Sequence, residues 1–249
     1  MSKLINNKGM VTGAIRRLQH LLLSALFLLM TGCAATGDYQ DPRDPIEGFN
    51  RAMYSFNDAL DEALIKPLSE GYRAIIPAPV DHGISNFFGN LADVGSAINN
   101  LLQFKLKRAI SDVGRVLVNS TVGILGFFDV ASNMNMQKYG EDFGQTLGAW
   151  GAGAGPYIVL PILGPSSGRG VIGVVVDWYT DPVTYVEPNA RRNLLIGLRG
   201  LDKRSDLLGA SRVMEEAALD PYEFSRDAYL QKSRNDVYDG NPPPEPEMD

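Results

Sequence analysis

Apolar residues along this chain recur at intervals of three and four far more often than at intervals of two. Ile46, Phe49, Met53, Phe56, Leu60 and Leu64 are spaced 3, 4, 3, 4 and 4, the repeat of one helical face. Asp44 stands where a helix cap would, Pro45 suits the first helical position, and Glu47 lies three residues after the cap. Pro67 ends or kinks this helix, and Pro77 and Pro79 mark a break. The period resumes at Val80, Ile84, Phe87, Leu91, Val94, Ile98 and Leu102, with Asn90 and Gly95 as candidate points of division. Phe104–Gly123 reads as a third helical stretch with a basic start at Lys105, Lys107 and Arg108. A charged helical region runs up to Leu208, and two further helices are split at Asp220-Pro221. Two-residue alternation is scarce, so the expected class is all-α, in one domain over residues 44–232.

The middle of the chain departs from this pattern. Residues 140–173 hold 10 of the 26 glycines, and the 26 residues from Phe143 to Gly168 carry no charge. That length suffices to cross a bilayer, but Pro156, Pro161, Pro165 and seven glycines oppose a straight helix. Irregular backbone at membrane depth has to be covered by protein or line a wet cavity. Gly144, Gly148, Gly151 and Gly155 fall at spacings of 4, 3 and 4. They read equally as a close helix contact in lipid or as a turn-rich loop. Phe127 and Phe128, beside Gly126, read as core or as rings that dip into acyl chains, with core favoured.

The two ends carry different information. The first acidic residue is Asp38, Lys3, Lys8, Arg16 and Arg17 are basic, and Leu21–Met30 is an apolar run with one serine. This is the form of a signal peptide, expected over residues 1–32. Met30-Thr31-Gly32-Cys33 resembles a bacterial lipobox, which makes Cys33 the expected site of lipidation and residues 33–43 a tether. Several acyl chains at roughly 0.8 kcal/mol per buried methylene anchor a protein stably. Ala34 after the cysteine favours the outer membrane, on its periplasmic face. Residues 233–249 are acidic and proline-rich, and are expected to be a disordered tail.

Charge and residue supply then narrow the chemistry. From Cys33 onward, 19 Lys and Arg stand against 29 Asp and Glu, a balance that argues against nucleic acid. Lipidation consumes the single cysteine, so no disulfide or thiol chemistry is expected. Gly164-Pro165-Ser166-Ser167-Gly168 satisfies G-x-S-x-G, the pattern of a hydrolase nucleophile elbow. The base histidine of such enzymes follows the serine, and none follows Ser166; the flanks also read as helical rather than as strand and helix. A phosphate loop needs a lysine after its glycines, and this segment offers Arg169. With one histidine, His82, after the signal peptide, a zinc site is not expected. Asp177 and Asp181 suit a hard cation, though such pairs are more often helix-end or surface charges. No catalytic residue, metal or cofactor is assigned.

DPIEGFNRAMYSFN, GFFDVA, EDFGQTLGAWGAGAGPYIVLPILGPSS, VDWYTDP and DPYEFSRDAYLQ occur in this order between Asp44 and Gln231. Together they resemble the MlaA/VacJ family of outer-membrane lipoproteins. The departure is Gly170, where family members commonly carry an acidic residue. The resemblance implies a ring-like helical body in the inner leaflet of the outer membrane, with a central amphipathic channel. It implies removal of misplaced phospholipid from the outer leaflet, delivery to the soluble periplasmic carrier MlaC, and association with trimeric porins. It implies no bond-breaking reaction. By position in the matching motifs, Phe49 and Asn50 would set the closed state of the channel. Gly123, Gly126, Phe127 and Phe128 would lie in a flexible apolar hairpin that gates the channel. Gly144, Gly148, Gly151, Gly153 and Gly155 would form the lining or the membrane-facing rim. The competing reading is a porin-associated structural lipoprotein without transport.

Overall fold

The computed structural model describes residues 41–244. The signal peptide, Cys33 and most of the expected tether lie outside the described residues. The fold is mostly helical: α1 (Glu47–Leu60), α2 (Lys66–Ile75), α3 (Ala78–Leu102), α4 (Leu106–Thr121), α5 (Val130–Asn133), α6 (Phe143–Ala149), α7 (Gly168–Thr180), α8 (Asn189–Ala217) and α9 (Pro221–Val237). To these is added one antiparallel hairpin, β1 (Tyr157–Leu160) with β2 (Gly164–Ser167), in which Tyr157 pairs with Ser167 and Leu160 with Gly164. The hairpin is an addition to the all-helical expectation, and it falls within the uncharged, glycine-rich middle.

Several local expectations change. Asp44 does not cap α1; Ile46 precedes the helix, and Asp44 is buried beneath it. Pro67 does not end the first helix. A five-residue π-helical segment, Asp61–Ile65, joins α1 to α2, and the Lys66 N–H donates to the Asp61 carbonyl five residues back. Proline lacks the N–H and crowds the carbonyl four residues before it, and the wider π register lets the chain continue through it. Asn90 and Gly95 do not divide α3. The Asn90 amide donates to Ser120 Oγ at 3.0 Å instead of competing with its own backbone, and a Cβ at Gly95 would make ordinary contact with Thr180. α9 continues past the expected boundary at 232, to Val237. Beyond it, Asp239 pairs with Lys105 at 2.6 Å, so the start of the expected tail is tied to the start of α4.

Most of the helical faces legible in the sequence do not point inward. Of the six periodic residues from Ile46 to Leu64, only Met53 is buried. None of the seven from Val80 to Leu102 is buried; Gly83, Phe88, Asn90, Asp93, Ser96, Asn99 and Asn100 take the interior side of α3 instead. The apolar core proper is small: Met53, Tyr157, Val159 and Tyr222, with Phe49, Tyr54, Tyr229 and Leu230 packed around them where α1, the hairpin and α9 meet.

Candidate functional site

Asn50 is the fastener of this junction. It is fully buried on α1. Its Nδ2 donates to the Tyr157 carbonyl at 2.9 Å and to Asp44 Oδ1 at 2.7 Å, and its Oδ1 accepts from the Val159 N–H at 2.8 Å. One side chain thus satisfies both a donor and an acceptor of strand β1, as a neighbouring strand would. Asn57, two turns further along, repeats the arrangement with the Leu160 carbonyl and the Ile162 N–H. Tyr222 of α9 donates to Asp44 from the other side. Burial, with the bond to Asp44, raises the Tyr222 hydroxyl above its ordinary range, so it remains a donor. Phe49 packs against the same cluster.

α3 and α4 are joined by a tight turn and run antiparallel, as their side-chain contacts show. Asn90 meets Ser120, Arg115 Nε meets Asp93 at 3.0 Å, and Ser96 meets Asp112 at 2.7 Å. The contacts are polar. Asp112 and Arg115 are 0% and 1% exposed. Arg115 also binds Ser132, the Met136 carbonyl and both oxygens of Asp129. Burial opposes ionisation of Asp129, but bonds from Ser132, Asn119 and Arg115 hold its carboxyl below the ordinary range. At Asp112 burial prevails over the bonds from Ser96 and Asn100, and the carboxyl is pushed up.

The other side of α4 is the reverse. Leu106, Ile110, Val113 and Leu117, at spacings of 4, 3 and 4, are all exposed, Ile110 at 72%. Leu101, Leu102, Phe104, Val122, Ile124 and Leu125 extend the apolar surface around both ends of the helix. Each such side chain is roughly 1.5–3 kcal/mol more stable out of water. No helix among the described residues is long and apolar enough to cross a membrane.

The candidate gate is a turn, not a hairpin. Ile124, Leu125 and Gly126 take φ values of 53°, 56° and 92°, a run of left-handed conformations that the first two residues rarely adopt. Asn119 accepts the Gly126 N–H on its backbone carbonyl at 2.7 Å. Asn86 donates to the Phe127 carbonyl. Gly126 serves twice over: its φ suits glycine, and a Cβ there would lie 2.6 Å from Asn90 Cβ. Gly123 is buried against the Phe128 carbonyl, and the Phe127 ring lies directly on Gly83 of α3. Phe128 is exposed and Phe127 half-buried, so neither ring is core.

The candidate rim divides into a helix contact and a loop. Gly144 of α6 meets Gly173 of α7, where a Cβ on Gly173 would be 2.6 Å from the Gly144 nitrogen. Gly148 closes on Val237 and Arg169. Gly151, Gly153 and Gly155 lie in the loop that follows, with positive φ at the first and last. Gly148 and the three loop glycines line one cleft of about 830 Å³, closed on its far side by α9. Helix contact and turn-rich loop, alternatives in the sequence, are thus both present on one stretch.

Ser166 lies on β2, which runs directly into α7. The strand-to-helix flank judged missing from the sequence is therefore present, because the hairpin was hidden there. Ser166 is only 4% exposed, however, and Ser167 accepts the Gly170 N–H as the cap of α7. A Cβ at Gly170 would meet Tyr229 Oη and Ser166 Oγ at 2.7 and 2.8 Å, so hydroxyls crowd this position. Asp177 accepts the Phe143 N–H, and Asp181 caps the following turn and pairs with Arg199. Both carboxylates are engaged structurally. Sequence reasoning did not identify Asp93, Asp112, Arg115 or Asn119. The signal was there: polar residues on α4 repeat at helical spacing opposite the apolar stripe.

The MlaA lipoprotein family model matches residues 42–236, and the chain belongs to this family. It is 35% identical over 227 residues to the intermembrane phospholipid transport system lipoprotein MlaA of Escherichia coli (strain K12), covering 85% of this chain and 87% of that protein. With the Haemophilus influenzae protein of the same name it shares 33% identity over 234 residues, covering 88% and 89%. A solved structure from work on the structural basis for maintenance of bacterial outer membrane lipid asymmetry superposes with a TM-score of 0.69. It is 31% identical in sequence and covers 80% of this chain and 99% of that one.

Proposed function

We propose that this member of the MlaA lipoprotein family transports phospholipid, clearing misplaced molecules from the outer leaflet of the outer membrane and passing them to a periplasmic carrier. The observation that carries the reading is the inside-out pair α3–α4. A polar interior with Asp112 and Arg115 buried, beneath exposed Ile110 and Leu117, suits a body surrounded by acyl chains. With no membrane-crossing helix among the described residues, we place that body in one leaflet, anchored through Cys33 and in contact with trimeric porins. MlaC is the expected carrier. The Asn50 junction holds the closed arrangement, the Gly123–Phe128 turn acts as the gate, and the Gly144–Gly155 segment lines or rims the lipid path. Glycine there lets backbone polar groups come close to a headgroup. No bond is broken, and Ser166→Ala leaves function intact.

The test is outer-leaflet phospholipid in cells lacking the gene, with and without the gene restored. Accumulation that restoration clears is expected. An unchanged outer leaflet would remove transport and leave a porin-associated scaffold, whose outward apolar face would then serve protein contact.

A further inference from the structure

We infer that the cleft between the glycine-rich loop and α9 is a binding site for a phosphate group. One wall is bare backbone. Nothing lies within 4 Å of where a Cβ would stand on Gly151 or Gly153. The N–H groups of Gly153, Ala154 and Gly155 donate to no acceptor among the described residues. Successive amides with no internal acceptor can donate to an anion. Arg43, Arg169 and Arg234 also line the cleft, against one carboxylate, Asp227.

Arg169 is the centre of the site. Arg43 already pairs with Asp41 and Asp227. Arg169 donates only to neutral acceptors, the Ala152 carbonyl at 3.0 Å and Ser233 Oγ at 3.3 Å, and forms no ion pair among the described residues. Its place is reserved: a Cβ on Gly148 would stand 2.8 Å from its Nη1. Arg169 also borders a smaller cavity of about 340 Å³, but there Asp142, Asp177 and Asp236 outnumber Arg169 and Lys232, which disfavours an anion. The larger cleft is therefore the one an anion enters, and Pro42, Leu230 and Val237 give it an apolar flank. A phosphodiester with an apolar continuation matches both surfaces. The same phosphate chemistry occurs in a phospholipid headgroup and in free phosphate. The proposal rests on the transport reading for the source of the anion, not for the existence of the site.

The test is calorimetric titration of the full chain in detergent with two probes, a short-chain phosphatidylglycerol and inorganic phosphate. Arg169→Gln is expected to weaken binding about tenfold or more, as the loss of one charge-assisted contact does. Because Arg169 also holds Ala152, a second pair of variants protects the result. Gly153→Glu puts a carboxylate into open space and is expected to weaken binding by a similar factor, while Gly153→Gln, of equal size, weakens it far less. Tighter binding of the lipid than of inorganic phosphate, with this dependence, assigns the site to the headgroup. Equal binding with the same dependence assigns it to soluble phosphate. Binding of lipid by wild type that Arg169→Gln and Gly153→Glu leave unchanged overturns the site while transport stands. Binding of neither probe by wild type also overturns it, and the outer-leaflet assay decides the transport reading separately.

Discussion

Around Met53 the side chains that touch are apolar and aromatic, whereas between α3 and α4 they are Asp93, Asp112, Arg115 and Asn119, with Ile110 and Leu117 facing out. The first region is built as a protein in water is built. The second reverses inside and outside, and its outer surface would be stabilised by contact with something apolar. Both come from helices with ordinary three-and-four spacing. The difference teaches that amphipathic periodicity defines two faces of a helix but not which one the protein buries.

The comparison can be broken most severely at its polar side. Arg115→Met leaves Asp129 without its cation and Asp93 with Lys138 alone, and is expected to cost about 3–5 kcal/mol in denaturant unfolding in detergent; a loss below about 1 kcal/mol would mean that this interior is wet. On the apolar side the counterpart is Asn50→Ala, which orphans the Tyr157 carbonyl and the Val159 N–H together. The expected loss is about 2–4 kcal/mol, with earlier hydrogen exchange in β1 than in α4. Gly126→Ala forces a side chain into φ +92° against Asn90 and should cost about 1–2 kcal/mol, read from the same melts.

Acidity separates the two regions more finely. Burial raises the Asp112 carboxyl, so the folded chain holds that proton more tightly than the unfolded one. Its contribution is full below the ordinary carboxylate range, is lost as pH rises through the raised value, and stays lost above it. Denaturant titrations from about pH 4 to 7 should therefore show a shallower pH dependence for this contribution in Asp112→Asn than in wild type. The smallest effect on folding is expected at Ile110→Lys, within about 0.5 kcal/mol in detergent. The same variant should be retained less by phospholipid vesicles in flotation. Unchanged retention would mean that α4 does not face lipid.

Much of the helical layout was legible. Phe104–Gly123 became α4 within two residues at each end, and Asp220-Pro221 separates α8 from α9 as expected. Asn50 was legible as a position but not as a clamp, because its partners Tyr157 and Val159 lie more than 100 residues away. The hairpin escaped notice because Gly164 and Pro165 break any alternation in β2. Asn90 and Gly95 looked like breaks because local propensity omits Ser120 and Thr180, the neighbours that make these residues fit. The open amides and Arg169 share one cleft only because the chain turns back from Gly155 to α7, which no spacing rule reveals.

Asp41 and Arg43 are bound to Arg226 and Asp227 at 3.4 and 3.0 Å, and Asp44 to Tyr222. Tension arriving along the chain from upstream therefore does not run up the axis of α1. It is passed first to α9, through ion pairs that share the load. The Asn50 fastener sits behind this strain relief, so a pull on the leading segment reaches α9 before it reaches the joint between α1 and β1.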